Sequence, residues 1–286
     1  MARTVFVDGA YVDEMDAKVS VFDRGFLFSD SVYEVTAVIE KKLVSWEGHT
    51  RRMRRSLGEI GIDLDMSNDH LLEVHRKLLE LNEVQEGLVY LQITRGAADR
   101  DFAFPDRTTV KPTIVLFTQE KSLIDNQKLD TGLRVISFPD LRWGRSDIKS
   151  TQLLYASMVK QKALNQGKDE AWFVKDGFVS EGSSNNTFIL SRDGKLITTA
   201  LSNDILAGIT RETIFEYAKS SGYIIEERPF SVEEAKNSKE AFICSSTTFI
   251  LPVVEIDDCK IGSGQPGNNT LKLREIYIKN IKQELV

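Results

Sequence analysis

Apolar positions along the chain recur at two periods, and the switches between them outline its elements. Residues 4–9 read as a strand running into a turn, with 10–12 as its return and 19–22 as a second short strand. Residues 23–30 read as a loop of unusual aromatic content. A β-branched strand follows over 33–39, and Lys41-Lys42 marks its hairpin turn. Over 49–60, Met53, Leu57 and Ile60 fall on one helical face, with Arg51, Arg52, Arg54 and Arg55 around it. A second amphipathic helix is predicted over 69–81, with Ser67 or Asn68 as its cap. Strong strands follow over 88–94 and 112–117. The polar, weakly patterned stretch 120–130 reads as a linker between two domains.

The second half opens with a strand over 133–138 that ends at Pro139. A helix over 153–165 closes at Gly167. A strand over 171–174 follows, and Asp176-Gly177 and Asp193-Gly194 are hairpin signals, so 178–190 contains the strands between them. Helices are predicted over 210–220, 232–237 and 271–285, and strands over 241–244 and 253–256. Strands and helices mix in both halves without regular βαβ alternation. The expected class is therefore α+β, not a doubly wound sheet.

With 286 residues, 41% hydrophobic and 28% charged, the composition is that of an ordinary globular protein with ample length for a core. A net charge of -6 argues against a general nucleic-acid binder. Two cysteines, Cys244 and Cys259, make neither a disulfide framework nor a metal site. Three histidines, His49, His70 and His75, supply a metal centre or a Ser-His-Asp triad poorly. Met1-Ala2-Arg3-Thr4-Val5 has no leader shape, and no apolar run has the length of a membrane span, so the expected location is the cytoplasm.

Candidate chemistry centres on 142–151, a polar connection between a strand and a helix that carries Lys149. A lysine loses its proton readily when desolvated or near other cations, which Arg142 and Arg145 can supply, and a neutral lysine forms a Schiff base with an aldehyde cofactor. In Leu206-Ala207-Gly208-Ile209-Thr210-Arg211, just before a helix, Gly208 allows close backbone approach, Thr210 can cap, and the first helical N–H groups are free for a phosphate. Ser245-Ser246-Thr247-Thr248 offers hydroxyls, and the arginine helix around Arg52 a guanidinium. Glu181, amid small polar residues, suits a protonated ring nitrogen. An arginine in the 94–102 loop suits a substrate carboxylate. Taken singly, each has an ordinary reading as a solvated lysine, a capped helix, a polar turn or a surface ion pair. Together they supply the parts of a pyridoxal phosphate enzyme in a workable order.

That order resembles the fold-type IV pyridoxal phosphate enzymes, and most closely the bacterial D-amino acid transaminases. The resemblance runs nearly end to end. It covers Phe22-Asp23-Arg24-Gly25, Val32-Tyr33-Glu34-Val35, His49-Thr50-Arg51-Arg52, Gln92-Ile93-Thr94-Arg95-Gly96, Asp147-Ile148-Lys149-Ser150 and Glu181-Gly182-Ser183-Ser184-Asn185. It closes with Gly208-Ile209-Thr210-Arg211, Ser246-Thr247 and Pro252-Val253-Val254-Glu255-Ile256-Asp257. The resemblance implies a small N-terminal α/β domain over 1–119, the linker over 120–130 and a larger, β-rich C-terminal domain over 131–286 carrying the lysine. It implies a cytoplasmic homodimer with its active site at the subunit interface. Lys149 would form the Schiff base and shuttle the α-proton, and Glu181 would pair with the ring nitrogen. Arg52, Gly208, Ile209, Thr210, Ser246 and Thr247 would hold the phosphate, with Leu206 under the ring. Tyr33, Arg24, Arg100 and Phe102 would lie toward the substrate, Arg100 reaching its carboxylate from the partner subunit. The implied reaction is ping-pong transfer of an amino group between a D-amino acid such as D-alanine and a 2-oxo acid. Where the family carries Arg-Asn-His, this chain has Arg100-Asp101-Phe102, which removes one carboxylate donor and adds an apolar wall. The alternatives within the family are a branched-chain L-amino acid or (R)-amine transaminase and a 4-amino-4-deoxychorismate lyase. Outside it stands a non-catalytic phosphate- or nucleotide-binding protein.

Overall fold

The computed structural model describes residues 3–286; Met1 and Ala2, which open the stretch read for a leader, lie outside the described residues. The chain packs as two compact units. The first holds residues up to Ser122 together with Ile148–Gln152 and Glu284–Val286, and the second holds Leu123–Asp147 and Leu153–Gln283.

The first unit contains β1 (Thr4–Val7), β2 (Ala10–Asp13), α1 (Arg24–Phe28), β3 (Ser31–Ile39), β4 (Lys42–Leu43), α2 (Trp46–Ile60), α3 (Asn68–Leu81), β5 (Gly87–Thr94) and β6 (Ile114–Glu120). Its sheet has the order β2-β1-β6-β5-β3-β4 and is antiparallel throughout. Met53 and Leu57 of α2 and Leu71, Val74 and Leu78 of α3 meet Val32, Val38, Val89 and Leu91 of the sheet in one core. The 3.6-residue period thus does what it predicts, turning one stripe of each helix onto the sheet. Ser67 caps α3, its hydroxyl accepting the His70 N–H.

Two expectations fail here. Residues 19–22 form no strand, and Val21 and Phe22 are exposed. β-branched residues make a strand only where a neighbouring edge and a face to bury are both present, and among the described residues this stretch joins no strand, the isolated bridge from Asp23 to Ala97 lying just beyond it. The 23–30 stretch contains α1, because the Asp23 side chain accepts the Gly25 N–H and Ser29 adopts a left-handed cap. Gly25 is required by close approach: a Cβ there would collide with Thr94.

The second unit contains α4 (Lys128–Thr131), β7 (Leu133–Pro139), α5 (Leu154–Asn165), β8 (Glu170–Lys175), β9 (Phe178–Gly182), β10 (Asn186–Leu190), β11 (Lys195–Thr198), α6 (Ile209–Ser220), β12 (Ile224–Glu227), α7 (Val232–Lys236), β13 (Glu240–Ser245), β14 (Phe249–Ile256), β15 (Cys259–Lys260) and α8 (Asn268–Ile281). Its main path runs β12-β11-β10-β13-β14-β7-β8-β9, with β15 on β14. The sheet curls, so that the end of β9 returns to the start of β10 and the Gly182 N–H donates to the Asn185 carbonyl. Three pairs are parallel: a helix supplies the return in two of them, α5 between β7 and β8 and α6 between β11 and β12, and the third joins β7 to β14, which is distant in sequence. The fold is α+β, with these crossovers set in a mainly antiparallel sheet. Trp172, Val179, Ile189, Phe230, Ile243 and Leu251 centre its core.

Candidate active site

In the first unit, Ser150 bridges to Val32 at the open edge of β3, and the Tyr33 N–H donates to the Lys149 carbonyl at 3.0 Å. The Lys149 N–H donates to Ser56 Oγ of α2 at 3.3 Å. The lysine backbone is therefore pinned to a strand and a helix. Nζ lies 4.1 Å from the centre of the Tyr33 ring. Among the described residues it has no hydrogen-bond or ion-pair partner. Tyr33 itself is stacked on Tyr90, and Tyr90 on Phe117. A lysine side chain over an aromatic face, with Nζ not taken up by a carboxylate or a carbonyl, is available for covalent chemistry. The charges of Arg142 and Arg145 are met by nearby carboxylates, Asp140 and Glu181 for the first and Asp147 for the second.

His49 and Arg52, about one turn apart on α2, both turn toward β3. Glu34 of β3 accepts from Arg52 through both oxygens, at 2.8 and 2.7 Å, and contacts His49 Nδ1 at 2.7 Å. Burial works against the Glu34 charge, but Arg52 and His49 outweigh it and hold the carboxyl far below the usual carboxylate range. Burial also lowers the His49 pKa. Arg52, unlike exposed Arg51 and Arg55, is thus buried and oriented. Glu34 has the same strand parity as Val32 and Val38, which marks it as a buried carboxylate and was the available sequence signal.

Arg24, Arg95 and Arg100 separate into distinct roles. Arg24 is only 2% exposed; its Nε donates to Asp30 at 2.8 Å and its Nη1 to the Asp101 carbonyl at 2.6 Å. Arg95 forms a two-point pair with the same Asp30 and donates to the Ile60 and Gly61 carbonyls at the end of α2. Arg100 is exposed and without a hydrogen-bond or ion-pair partner among the described residues; its guanidinium lies near the Phe28 and Phe102 rings. Phe102 is 80% exposed and meets Phe28 edge-on.

In the second unit, Glu181 is the penultimate residue of β9 and is 5% exposed. Its Oε2 accepts from Asn186 Nδ2 at 3.1 Å and from the Leu206 N–H at 3.2 Å, and its Oε1 accepts from Arg142. Burial pushes its pKa up to about 7, beyond what the Arg142 charge pulls back. Burial also opposes the Arg142 charge, but Asp140 and Glu181 outweigh it, and that pKa is raised. Asp140 also receives the Ser180 hydroxyl. Asn186 donates further to the Leu206 carbonyl, fixing the segment that leads to Gly208. A Cβ at Gly208 would collide with Asn186 Oδ1. Asn186 is therefore the hub between Glu181, Leu206 and Gly208, a role the sequence reading missed.

Gly208 is the N-cap of α6 and offers no side-chain acceptor, so the Ile209, Thr210 and Arg211 N–H groups have no partner from the helix. Thr210 is buried and shares a side-chain hydrogen bond with Tyr277 of α8. Arg211 turns away, to Glu227 and the Thr199 carbonyl. Ser246 and Thr247 form the half-buried turn between β13 and β14. That turn is held by Arg274, which donates to the Thr248 and Ile250 carbonyls.

The chain belongs to the amino-transferase class IV family, whose model matches residues 31–256. It is 37% identical over 282 residues to the D-alanine aminotransferase of Staphylococcus epidermidis, covering 99% of each chain. It is 35% identical over 280 residues to that of Bacillus licheniformis, covering 98% of each. Among solved structures, the branched-chain amino acid aminotransferase of Thermobaculum terrenum in its PLP form superposes with a TM-score of 0.85 at 22% identity, covering 98% of this chain and 94% of that one. The Escherichia coli enzyme of the same name gives 0.88 at 22%, again with 98% and 94% covered. These two share the fold.

Proposed function

We propose that the protein is a pyridoxal 5'-phosphate-dependent D-amino acid transaminase, moving an amino group between a D-amino acid such as D-alanine and a 2-oxo acid. The observation that carries this is the Lys149 amine, pinned through its backbone and free of polar partners at Nζ. Whole-length similarity to D-alanine aminotransferases supports the substrate class.

The residues present fit that cofactor. Lys149 would hold its aldehyde, Glu181 its ring nitrogen, and Leu206 would pack under the ring. Arg52, Gly208, Ile209 and Thr210 of the helix start, and the Ser246-Thr247 turn, would hold its phosphate. Bound pyridoxal phosphate supplies an electron sink for the pair left when an amino acid loses its α-hydrogen as a proton. Lys149 Nζ takes that proton and returns it. Glu181 keeps a negative charge against the ring nitrogen; its raised pKa is the cost of burying that charge before a cation arrives. Tyr33 positions Nζ from below, and Arg100 and Phe102 meet the substrate. Two copies of the chain pair, so that the exposed Arg100 of one serves the partner. The protein acts in the cytoplasm; no described helix is long and apolar enough to cross a membrane.

The test is the absorbance of the cofactor-loaded protein before and after D-alanine, with L-leucine as control. Loss of the visible band with D-alanine alone, with pyruvate formed, is the expected result. Loss with L-leucine alone moves the assignment to branched-chain L-amino acids. Lys149→Ala should abolish turnover, and substantial residual transamination in that variant removes Lys149 from its role.

A further inference from the structure

Residues 100–104 carry Arg100 and Phe102, yet nothing polar ties those two side chains down. What holds the loop lies beneath it. Arg24 Nη1 reaches the carbonyls on both sides of Phe102, Asp101 at 2.6 Å and Ala103 at 3.4 Å. The same guanidinium lies 4.5 Å from the Phe28 ring centre and 5.5 Å from that of Phe104. Arg95 covers Phe104 at 3.7 Å. Both arginines converge on Asp30, whose Oδ2 receives Arg24 Nε at 2.8 Å and Arg95 Nε at 2.7 Å, while its Oδ1 receives Arg95 Nη2 at 2.9 Å. Two buried cations thus share one carboxylate, and backbone carbonyls and phenyl faces take up the remaining charge. Phe28 completes the link, edge-on to Phe102 at 5.6 Å and near the Arg100 guanidinium at 5.3 Å.

We propose that Arg24, clamped by Asp30 beside Arg95, is a positioning residue that fixes the 100–104 loop and so presents Arg100 and Phe102 to the substrate, without touching the substrate itself. This rests on the reading of Arg100 and Phe102 as substrate-facing. The alternative, Arg24 as a second carboxylate ligand, conflicts with its burial and with the carbonyls it already holds. A guanidinium suits this clamp because its planar fork serves Asp30 and the loop carbonyls at once; an ammonium serves one direction at a time.

The experiment compares the cofactor-loaded wild type with Arg24→Met, Arg24→Lys, Arg100→Met and the Arg24→Met/Arg100→Met double variant. Steady-state kinetics with D-alanine are read beside hydrogen exchange of the 97–104 peptide. Arg24→Met is expected to raise KM about tenfold with kcat changed less than about threefold, since ground-state positioning is lost and chemistry is not. In the Arg100→Met background the same change should cost less than about twofold, because its effect runs through Arg100. Exchange in 97–104 should speed up in Arg24→Met and less so in Arg24→Lys, with β3 and β5 unchanged. Arg24→Lys keeps the charge and carries the test if Arg24→Met folds poorly. Effects that multiply in the double variant, unchanged loop exchange, or an Arg100→Met enzyme as active as wild type each overturn the proposal. A wild type inactive on D-alanine but with the loop loosened in Arg24→Met overturns the D-amino acid reading and leaves the clamp standing.

Discussion

Glu181→Gln separates two consequences of burying a carboxylate. Without bound cofactor, this carboxyl titrates near 7 instead of its ordinary 4.5. A raised pKa means the native state holds the proton more tightly than the unfolded chain. The stability this contributes is full below pH 4.5 and is lost as pH rises through about 7. At about 1.4 kcal/mol per pH unit, the loss is about 3 kcal/mol. Glutamine does not titrate and fills nearly the same space. The unfolding free energy of the variant minus that of wild type should therefore climb by about 3 kcal/mol between about pH 4.5 and about pH 8. Urea denaturation of the cofactor-free proteins across that range measures it. The difference curve is required because His75 works in the opposite sense and masks the trend in the raw profile. A difference flat to within about 1 kcal/mol refutes the argument that burial outweighs Arg142 at this site. Catalysis should move the other way. A neutral amide oxygen can accept from a protonated ring nitrogen but supplies no countercharge, and losing the charge assistance of a hydrogen bond worth about 1.5–3 kcal/mol slows turnover about 10- to 100-fold. The stability difference thus shifts in the variant's favour as pH rises, while its turnover is slower.

His75 is buried against Trp46, its Nδ1 on the Leu71 carbonyl, and burial lowers its pKa to about 4. Its contribution is present above 6.5 and lost as pH falls through about 4, so His75→Asn should flatten the acid limb of the stability profile by about 3 kcal/mol. Gly208→Ala forces a methyl into Asn186, and should cost about 1–3 kcal/mol of stability and weaken cofactor affinity, read by denaturation and by fluorescence titration with pyridoxal phosphate. Arg274→Met removes one donor from each of the Thr248, Ile250, Leu123 and Ile124 carbonyls and should cost about 3 kcal/mol in urea unfolding. The cost stays below the full count of bonds because Arg274 Nε is buried without a partner and its own burial is unfavourable.

The helices of the first unit were readable because an amphipathic stripe is a local property: Met53 and Leu57 on α2, and Leu71, Val74 and Leu78 on α3, are spaced to face one way whatever they meet. The Gly208 helix start was readable for the same reason, since a capless glycine before a helix leaves its first N–H groups open in any fold. β12 escaped notice because its Ile-Ile-Glu-Glu lies at a sheet edge, half in solvent, where alternation is weak. Residues 19–22 misled in the converse way, having strand composition without an edge to join.

Residue order by itself determined the kinds of chemical group available, their sequence along the chain and the periodic faces of the long helices. Tertiary structure decided what each charge meets. Lys149 follows β7 in sequence, yet packs with the first unit, because Ser150 finds the open edge of β3 and Ser56 takes its N–H. Arg52 and Ser56 lie four positions apart on α2, but only the packing of α2 on β3 gives Arg52 to Glu34. Asp30 gathers Arg24 and Arg95, which lie 6 and 65 residues away. An apolar stripe is encoded by neighbours three and four positions apart. An ion pair is encoded by the fold that brings distant positions together, and by the burial that makes their charges count.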